Sequence, residues 1–249
     1  MWRDLKVPIV IAHRGDKRHA PENTLSAFRQ AADKGADAIE FDVKLSADGE
    51  VIVLHDKSVD RTTNGTGKAA NLSLAELKTL DAGVLFPTQF PGEKIPTLEE
   101  VFESVGKRLH MNVELTNYST LNDNLVEKVV ELVRKFKMMD KVLFSSFSTR
   151  NLLIARRQLP EVPRGLLTLP GILGFWGRTF GWRGDYDGLN PYYSSINLRL
   201  IDKIHSRGKR VIVWTVNNEA DIKRMISLSV DGVITDDPQL VLKLLGRSQ

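Results

Sequence analysis

Apolar residues along this chain come in short runs, often β-branched, separated by longer stretches with apolar positions at helical spacing. Nine of the runs read as buried strands: 9–12, 38–43, 51–54, 111–115, 142–146, 165–168, 188–190, 210–214 and 232–235. Helical patterns fall between most of them. One covers 22–34, with Asn23 or Thr24 near its cap, and another covers 121–135, apolar at 125, 126, 129, 130, 132 and 133. The stretches 198–206, 219–228 and 238–245 follow the same habit.

One pair breaks the rhythm. Seven positions separate Val43 from Val51, and they include the turn-forming Asp48-Gly49. A parallel crossover needs about a dozen residues or more, so these two runs form an antiparallel hairpin. Setting aside 51–54 as the return arm leaves eight strands alternating with helices. That pattern predicts a (β/α)8 barrel, with an open doubly wound sheet as the other architecture. The stretch 56–110 lies outside the rhythm. It holds Asn64-Gly-Thr-Gly67, helical patterns at 73–80 and 97–105, and Phe86-Pro-Thr-Gln-Phe-Pro-Gly92 between them. It reads as a small insertion capping the top of the barrel, within a single catalytic domain spanning 1–249.

Length and composition agree with one such domain. Barrels of this class run to about 250 residues, and this chain has 249. With 42% apolar and 27% charged residues it can bury a sizeable core. A net charge of +4 suits an anionic ligand but is too small and too evenly spread for nucleic acid. The absence of cysteine excludes disulfides and thiolate metal sites, so any metal binds through oxygen or imidazole. The apolar stretch 7–12 is too short for a signal-peptide core, and no run approaches the ~20 residues of a spanning helix. A cytoplasmic location is expected. Nothing in the sequence marks an oligomeric state.

A barrel's active site lies at the carboxyl ends of its strands. There this chain places His13-Arg14-Gly15, Glu40 and Asp42, His55-Asp56, and Glu114. Glu40 and Asp42 are two apart on a strand and share a face, with Ile39, Phe41 and Val43 on the other. Two like charges side by side are costly without a cation, and Glu114 adds the further oxygens a hard divalent ion wants. The competing reading is an interior ion pair with Lys or Arg. His13 and His55, each alone a structural histidine, together form a pair that could serve as base and acid for a phosphoester. Arg14 offers a planar fork suited to phosphate, against a plain surface salt bridge. His19, His110 and His205 lack such company and read as structural.

These residues fall within an ordered set. It comprises His13-Arg14-Gly15, Pro21-Glu22-Asn23-Thr24, Glu40-Phe-Asp42, Asp48-Gly49 with His55-Asp56, and Arg61-Thr-Thr-Asn-Gly-Thr-Gly67. It continues with Asn112-Val-Glu114-Leu, Ser145-Ser-Phe147, Val213-Trp214-Thr-Val-Asn217 and Asp231-Gly-Val-Ile-Thr-Asp236. In this order the motifs resemble the glycerophosphodiester phosphodiesterase family over nearly the whole chain. The resemblance implies a barrel with a small insertion after the second histidine. It implies that Glu40, Asp42 and Glu114 hold one divalent cation, Mg²⁺ or Ca²⁺, and that His13 and His55 act as general base and acid. Arg14, Phe147 and Trp214 would contact the substrate. The products would be sn-glycerol 3-phosphate and an alcohol, reached through a cyclic phosphate or by direct attack of water. Two positions depart from the family. Thr116 stands where relatives usually have Lys, two residues after the third carboxylate, and Asn190 stands where they often have His.

The segment 166–182, LLTLPGILGFWGRTFGW, carries two of the four tryptophans and a single charge, Arg178. Gly and Pro argue against a regular buried helix in it. Leaving the 165–168 strand, it would lie at the mouth of the site. With Arg183 beyond, it suits a membrane interface or an acyl chain, against a loop that closes the pocket or a dimer interface. Three readings follow. The first is an enzyme on glycerophosphodiesters such as glycerophosphocholine. The second is a lysophospholipase D acting on lysophospholipids at a membrane surface. The third is a catalytically impaired barrel that binds phosphodiesters, for which Thr116 is the sole support.

Overall fold

The structure is a computed structural model, describing residues 2–120, 122–180 and 185–247. Its strands are β1 Ile9–His13, β2 Ala38–Leu45, β3 Val51–Val53, β4 His110–Leu115, β5 Val142–Ser146, β6 Arg164–Thr168, β7 Gly188–Pro191, β8 Arg210–Val213 and β9 Gly232–Thr235. Eight of them run parallel, and β1 pairs with both β2 and β9, so the sheet closes on itself. β3 is the exception. It folds back antiparallel on β2 with Val43 opposite Val53, the hairpin expected from the short Val43–Val51 spacing. The closed parallel barrel is the expected architecture.

The period of two along β2 sorts its side chains. Ile39, Phe41 and Val43 point outward into the cluster shared with the surrounding helices. Ala38 joins Ile9, Ile11, Leu143, Ile212 and Ile234 inside the barrel. Trp2 closes this apolar layer at the amino end, its Nε1 donating to the carbonyl of Lys141. The interior is therefore apolar below, and the next inward positions on β2, Glu40 and Asp42, begin a polar layer above.

The helices are α1 Leu25–Asp33, α2 Leu74–Thr79, α3 Leu98–Val105, α4 Leu125–Lys135, α5 Thr149–Gln158, α6 Phe175–Phe180, α7 Leu198–His205, α8 Glu219–Ser227 and α9 Pro238–Leu244. Thr24 caps α1 by accepting from the Ala27 N–H, which settles the choice between Asn23 and Thr24. Leu121, the expected start of the 121–135 helix, lies outside the described residues, and α4 begins at Leu125. α5 has no counterpart in the sequence reading. Its buried stripe is only Asn151, Leu152 and Ala155, too narrow to show as a helical period.

The stretch 56–110 contains two different things. Val59, Ala69, Leu77, Ala82 and Ile95 pack with Ile52 and Leu54 into a small cluster of their own. Within it α2 is held by a capping box, Ser73 with Glu76. α3 instead buries Leu98, Val101, Phe102 and Val105 in the main core, so it is one of the barrel's outer helices. In 166–182, Leu166–Thr168 complete β6 and are buried. A 3-10 turn, Ile172–Gly174, and the six-residue α6 follow, and α6 buries none of its residues. Gly181, Trp182 and Arg183 lie outside the described residues.

Candidate active site

Strand register assembles the site. His13 on β1 is the Cα partner of Glu40, Glu40 of Asn112, Asp42 of Glu114, and Glu114 of Ser145. All point to the barrel axis, because each sits on the inward face of its strand. One oxygen from each of Glu40, Asp42 and Glu114 lies within 4.8 Å of the others. The first two are buried and Glu114 is half-buried. The cleft around them, about 140 Å³, is lined by His13, Arg14, His55, Asn112, Phe147 and Trp214 among others.

Burial, then the charges of Asp42 and Glu114, push Glu40 well above the usual carboxylate range. Burial and Asp42 push Glu114 up to about 8, against the hydrogen bond from Tyr118, whose hydroxyl donates over 2.8 Å. Two carboxylates pushed up by burial beside a third form a donor set matched to a hard divalent cation. Further groups fit the same purpose. Asn112, through both amide atoms, and the Ser145 hydroxyl are buried on the cleft and find no hydrogen-bond partner among the described residues. Arg14 places Nε 3.3 Å from Asp42 Oδ2, and Asn23 Nδ2 donates to the same oxygen over 3.1 Å.

The two imidazoles are oriented alike. His13 Nδ1 lies 2.5 Å from Asp236 Oδ1, and His55 Nδ1 lies 2.6 Å from Asp56 Oδ1. An ionised carboxylate only accepts, so each Nδ1 carries a proton and Nε2 is the nitrogen that can take a proton or, in an imidazolium, give one. His13 Nε2 is 3.9 Å from Glu40 Oε2. Burial, opposed by the Asp236 hydrogen bond and reinforced by Arg14 and Lys17, lowers His13 below the ordinary histidine value. Burial would raise Asp236, but its bond to His13 and the nearby charges hold it low and ionised.

Arg14 is no surface salt bridge. Its Nη1 donates to Glu22 Oε1 over 2.9 Å from a largely buried position. Arg61 grips the same carboxylate with two bonds, 2.7 and 2.9 Å, while its Nε donates to Asp56 over 2.6 Å. Burial would raise Glu22, yet Arg61, Arg14 and Lys17 hold it down to about 2. A continuous ionic chain thus runs from Arg14 through Glu22, Arg61 and Asp56 to His55. Arg14 and Asn23 both adopt left-handed backbone, φ 55° and 59°, a strain of about 1 kcal/mol per residue. It is held by the Arg14 N–H on the Glu40 carbonyl and the Asn23 N–H on the Arg14 carbonyl. Between them Gly15 touches α1 so closely that a Cβ would meet Ala27 at 2.7 Å.

Phe147 and Trp214 form an aromatic wall, their rings 5.6 Å apart and nearly perpendicular. Tyr118 packs on Phe147, and Tyr192 on Trp214. Asn190 lies buried in the barrel, over Gly165, and its carbonyl accepts from Trp214 Nε1. At the other departure the neighbouring strand supplies a cation. Lys44, on the inward face of β2 beyond Glu40 and Asp42, donates through Nζ to Thr116 Oγ1 over 2.7 Å. All eight residues singled out from the sequence, His13, Arg14, Glu40, Asp42, His55, Glu114, Phe147 and Trp214, line this mouth or touch one another there. Asp236, Asn23, Glu22, Arg61, Asn112 and Tyr118 carry no role in the sequence reading. Of these, Asp236 ends a strand in the same way as His13, so the rule that selects His13 also points to it.

Fold and site together define a (β/α)8-barrel protein whose mouth combines a carboxylate cluster able to hold a metal ion with an oriented imidazole pair. The profile of the Glycerophosphoryl diester phosphodiesterase family matches residues 13–240. A glycerophosphodiester phosphodiesterase of Caldanaerobacter subterraneus subsp. tengcongensis is 40% identical over 238 residues, 95% of this chain and 97% of that protein. Among solved structures, an Oleispira antarctica phosphodiesterase in complex with the product sn-glycerol-3-phosphate superposes with a TM-score of 0.89. It is 33% identical, covering 96% of this chain and 97% of that one. A glycerophosphodiester phosphodiesterase from Agrobacterium tumefaciens gives 0.79 at 30% identity, covering 95% and 100%. The chain belongs to the glycerophosphoryl diester phosphodiesterase family.

Proposed function

We propose that this chain hydrolyses glycerophosphodiesters to sn-glycerol 3-phosphate and an alcohol, as one catalytic domain with Glu40, Asp42 and Glu114 holding a divalent cation. The carboxylate cluster beside His13 Nε2 carries the reading, since a cation held there and a base would act side by side at the mouth of a phosphodiesterase-family barrel. The family, and the product bound to the Oleispira relative, support the substrate class. The all-oxygen donor set supports Mg²⁺ or Ca²⁺. Bound there, such a cation neutralises phosphate oxygens and stabilises charge that grows in the transition state.

The protein's own groups do the rest. His13, neutral at Nε2, takes the proton of the attacking hydroxyl, and Asp236 steadies the imidazolium that forms. His55, entering as the imidazolium with Nδ1 on Asp56, gives its Nε2 proton to the departing alcohol and is left neutral. Each contributes roughly 10²–10⁴-fold. Arg14, fixed by Glu22, faces the phosphate, and the Phe147–Trp214 wall packs against the glycerol carbons. The small body around Val59 and Leu77 caps the mouth and delivers Arg61 and His55 to it.

A second reading concerns the substrate's tail. Ile172, Leu173 and Trp176 are 86%, 79% and 68% exposed, with Phe175 and Phe180 half-exposed beside them. Such a patch supports a cytoplasmic enzyme in peripheral contact with a membrane, acting there on lysophospholipids. No helix among the described residues is long and apolar enough to cross a membrane. The impaired-barrel reading rests on Thr116 alone, and the Lys44 ammonium on Thr116 takes that support away.

The test compares glycerol 3-phosphate and choline release from glycerophosphocholine and lysophosphatidylcholine, with Mg²⁺, Ca²⁺ or EDTA and His13→Ala as control. Metal-dependent release of glycerol 3-phosphate from the small diester is expected. Free choline from the lipid at a comparable rate selects the second reading. Binding without turnover in every metal would sink both.

A further inference from the structure

A second cavity, about 630 Å³, opens beside the cleft between the β2–β3 hairpin, residues 57–71 and the loop after β4. Three lysines line it, Lys44, Lys57 and Lys68. Asp123 is the one acidic residue on its wall among the described residues, and its oxygens are occupied. Asn117 Nδ2 donates to it over 2.6 Å, Thr120 Oγ1 over 2.7 Å and the Leu125 N–H over 3.2 Å. Among the described residues none of the three lysines forms an ion pair. Lys44 Nζ donates to neutral Thr116, to its hydroxyl over 2.7 Å and its carbonyl over 3.4 Å, and feels Asp42, Glu114 and Asp56 only at longer range. Three ammonium groups around one cavity repel each other unless an anion sits among them.

The cavity's position relates it to the chemistry. Lys44 follows Asp42 by two residues, Lys57 follows His55 by two, and Thr116 follows Glu114 by two. At roughly 3.3 Å per strand residue it begins about 7 Å beyond the carboxylate cluster. The cleft itself, near 140 Å³ with Phe147 and Trp214 in its wall, has room for little beyond a glycerophosphate. The alcohol half of a diester must extend beyond that volume, and the lysine cavity is lined by Lys44, Lys57 and Thr116, each two residues past a residue of the carboxylate cluster or the cleft.

We propose that this cavity is the subsite for the alcohol half of the substrate, and that it selects alcohols bearing a second phosphate. The inference rests on the phosphodiesterase reading of the neighbouring cleft. Lys57 and Lys68 are exposed at its rim and steer the anion, while Lys44 meets it at the seam between cavity and cleft.

A matched pair of probes isolates the effect: glycerophosphoinositol and glycerophosphoinositol 4-phosphate, which differ by one phosphomonoester. The metal-loaded enzyme is expected to show a kcat/KM roughly tenfold higher for the phosphorylated diester, the scale of a few solvent-exposed charge pairs acting together. That preference should shrink as salt is raised. In Lys57→Glu/Lys68→Glu it should vanish, with the plain diester's kcat/KM changed less than about twofold. Equal rates in the wild type, or a preference that survives the double charge reversal, overturn the subsite. If neither diester turns over, it is the catalytic reading that fails, and calorimetry with inositol 4-phosphate then decides the subsite. Binding by the wild type that the double variant loses supports it, and equal binding by both rejects it.

Discussion

His13 Nδ1 and Asp236 Oδ1 lie 2.5 Å apart across the seam where the first and last barrel strands, β1 and β9, meet. The contact exists only because the sheet closes, and it fixes which nitrogen of His13 faces the cleft. Asn217 Nδ2 holds the other oxygen of Asp236 over 2.8 Å, so the carboxylate itself cannot turn. Asp236→Asn keeps the shape but offers an amide that can donate to Nδ1, which moves the imidazole proton to Nε2. The expected result is a loss of about 10²–10⁴-fold in kcat, with KM within a fewfold. A loss below tenfold would show that His13 is not the base.

The same pair sets a pH dependence. His13 works as a neutral base, and its pKa is lowered below 6.5, mainly by burial. The acidic limb of kcat/KM should therefore fall below pH 6.5. A cation held by Glu40, close to Nε2, pushes in the same direction. Asp236 is one of the influences that raise His13, so in Asp236→Asn the residual activity should show its acidic limb at still lower pH. A limb that moves upward would contradict the assignment.

Metal binding should be linked to protons. Glu114 is pushed up to about 8 in the folded chain, against 4.5 for an ordinary glutamate, and Glu40 is pushed up as well. A folded pKa above the unfolded one contributes stability below pH 4.5 that is lost as pH rises through about 8. A cation reverses this, because it binds the ionised carboxylates and displaces their protons. The rise in Tm on adding Mg²⁺ or Ca²⁺ should be larger at pH 8.5 than at pH 6. Calorimetry at pH 7 in buffers of different ionisation enthalpy should register proton release, and both signals should weaken in Glu114→Gln. A Tm gain independent of pH would place the cation elsewhere.

What the sequence made legible follows from how local each signal is. The hairpin needs only the seven residues between Val43 and Val51, and the shared face of Glu40 and Asp42 needs only the period of two. The third carboxylate and the imidazole pair follow from the barrel rule that chemistry sits at strand ends. Asp236 was hidden by its neighbour. Asp236-Asp237-Pro238 reads as a helix start, and Asp237 does cap α9 by accepting from Leu240. Asn23 was hidden because its left-handed backbone and its bond to Asp42 depend on Gly15 docking against α1. The α5 helix escaped because Asn151 spends its side chain on Leu115, Asn117 and Ser146, where a helical period would show an apolar residue. Lys44 fell just beyond the 38–43 run, although β2 continues to Leu45 and Lys44 extends the face of Glu40 and Asp42 by one more step.

Lys44 and Thr116 give a double-mutant test. In the wild type the ammonium stands on the Thr116 hydroxyl, so Thr116→Lys puts a second cation against the first and should lower activity or stability. Lys44→Met should cost about 10²–10³-fold in kcat/KM if this cation stabilises phosphate charge, the scale of one oxyanion donor. Combining the two should restore most of that loss, because the new lysine supplies a cation from the adjacent strand. Measured kcat/KM for the four proteins gives the coupling directly. Strict additivity would mean that the two positions do not share a function.

The apolar patch yields the last prediction. Ile172, Leu173 and Trp176 are more than two-thirds exposed, and the α6 helix that carries Trp176 buries no residue. Replacing all three by Ser therefore removes almost no packing, and Tm should move by no more than a degree or two, as for other surface changes. Insertion into a bilayer would bury the same side chains, each worth about 1.5–3 kcal/mol when fully transferred. If the patch meets a membrane, the triple variant should lose on the order of a hundredfold or more in partitioning to vesicles of phosphatidylcholine and phosphatidylglycerol. Turnover of lysophosphatidylcholine presented on those vesicles should fall with it, while turnover of glycerophosphocholine stays the same. Equal losses on both substrates would instead make the patch a lid over the cleft. Unchanged vesicle binding would remove the membrane from the reading altogether.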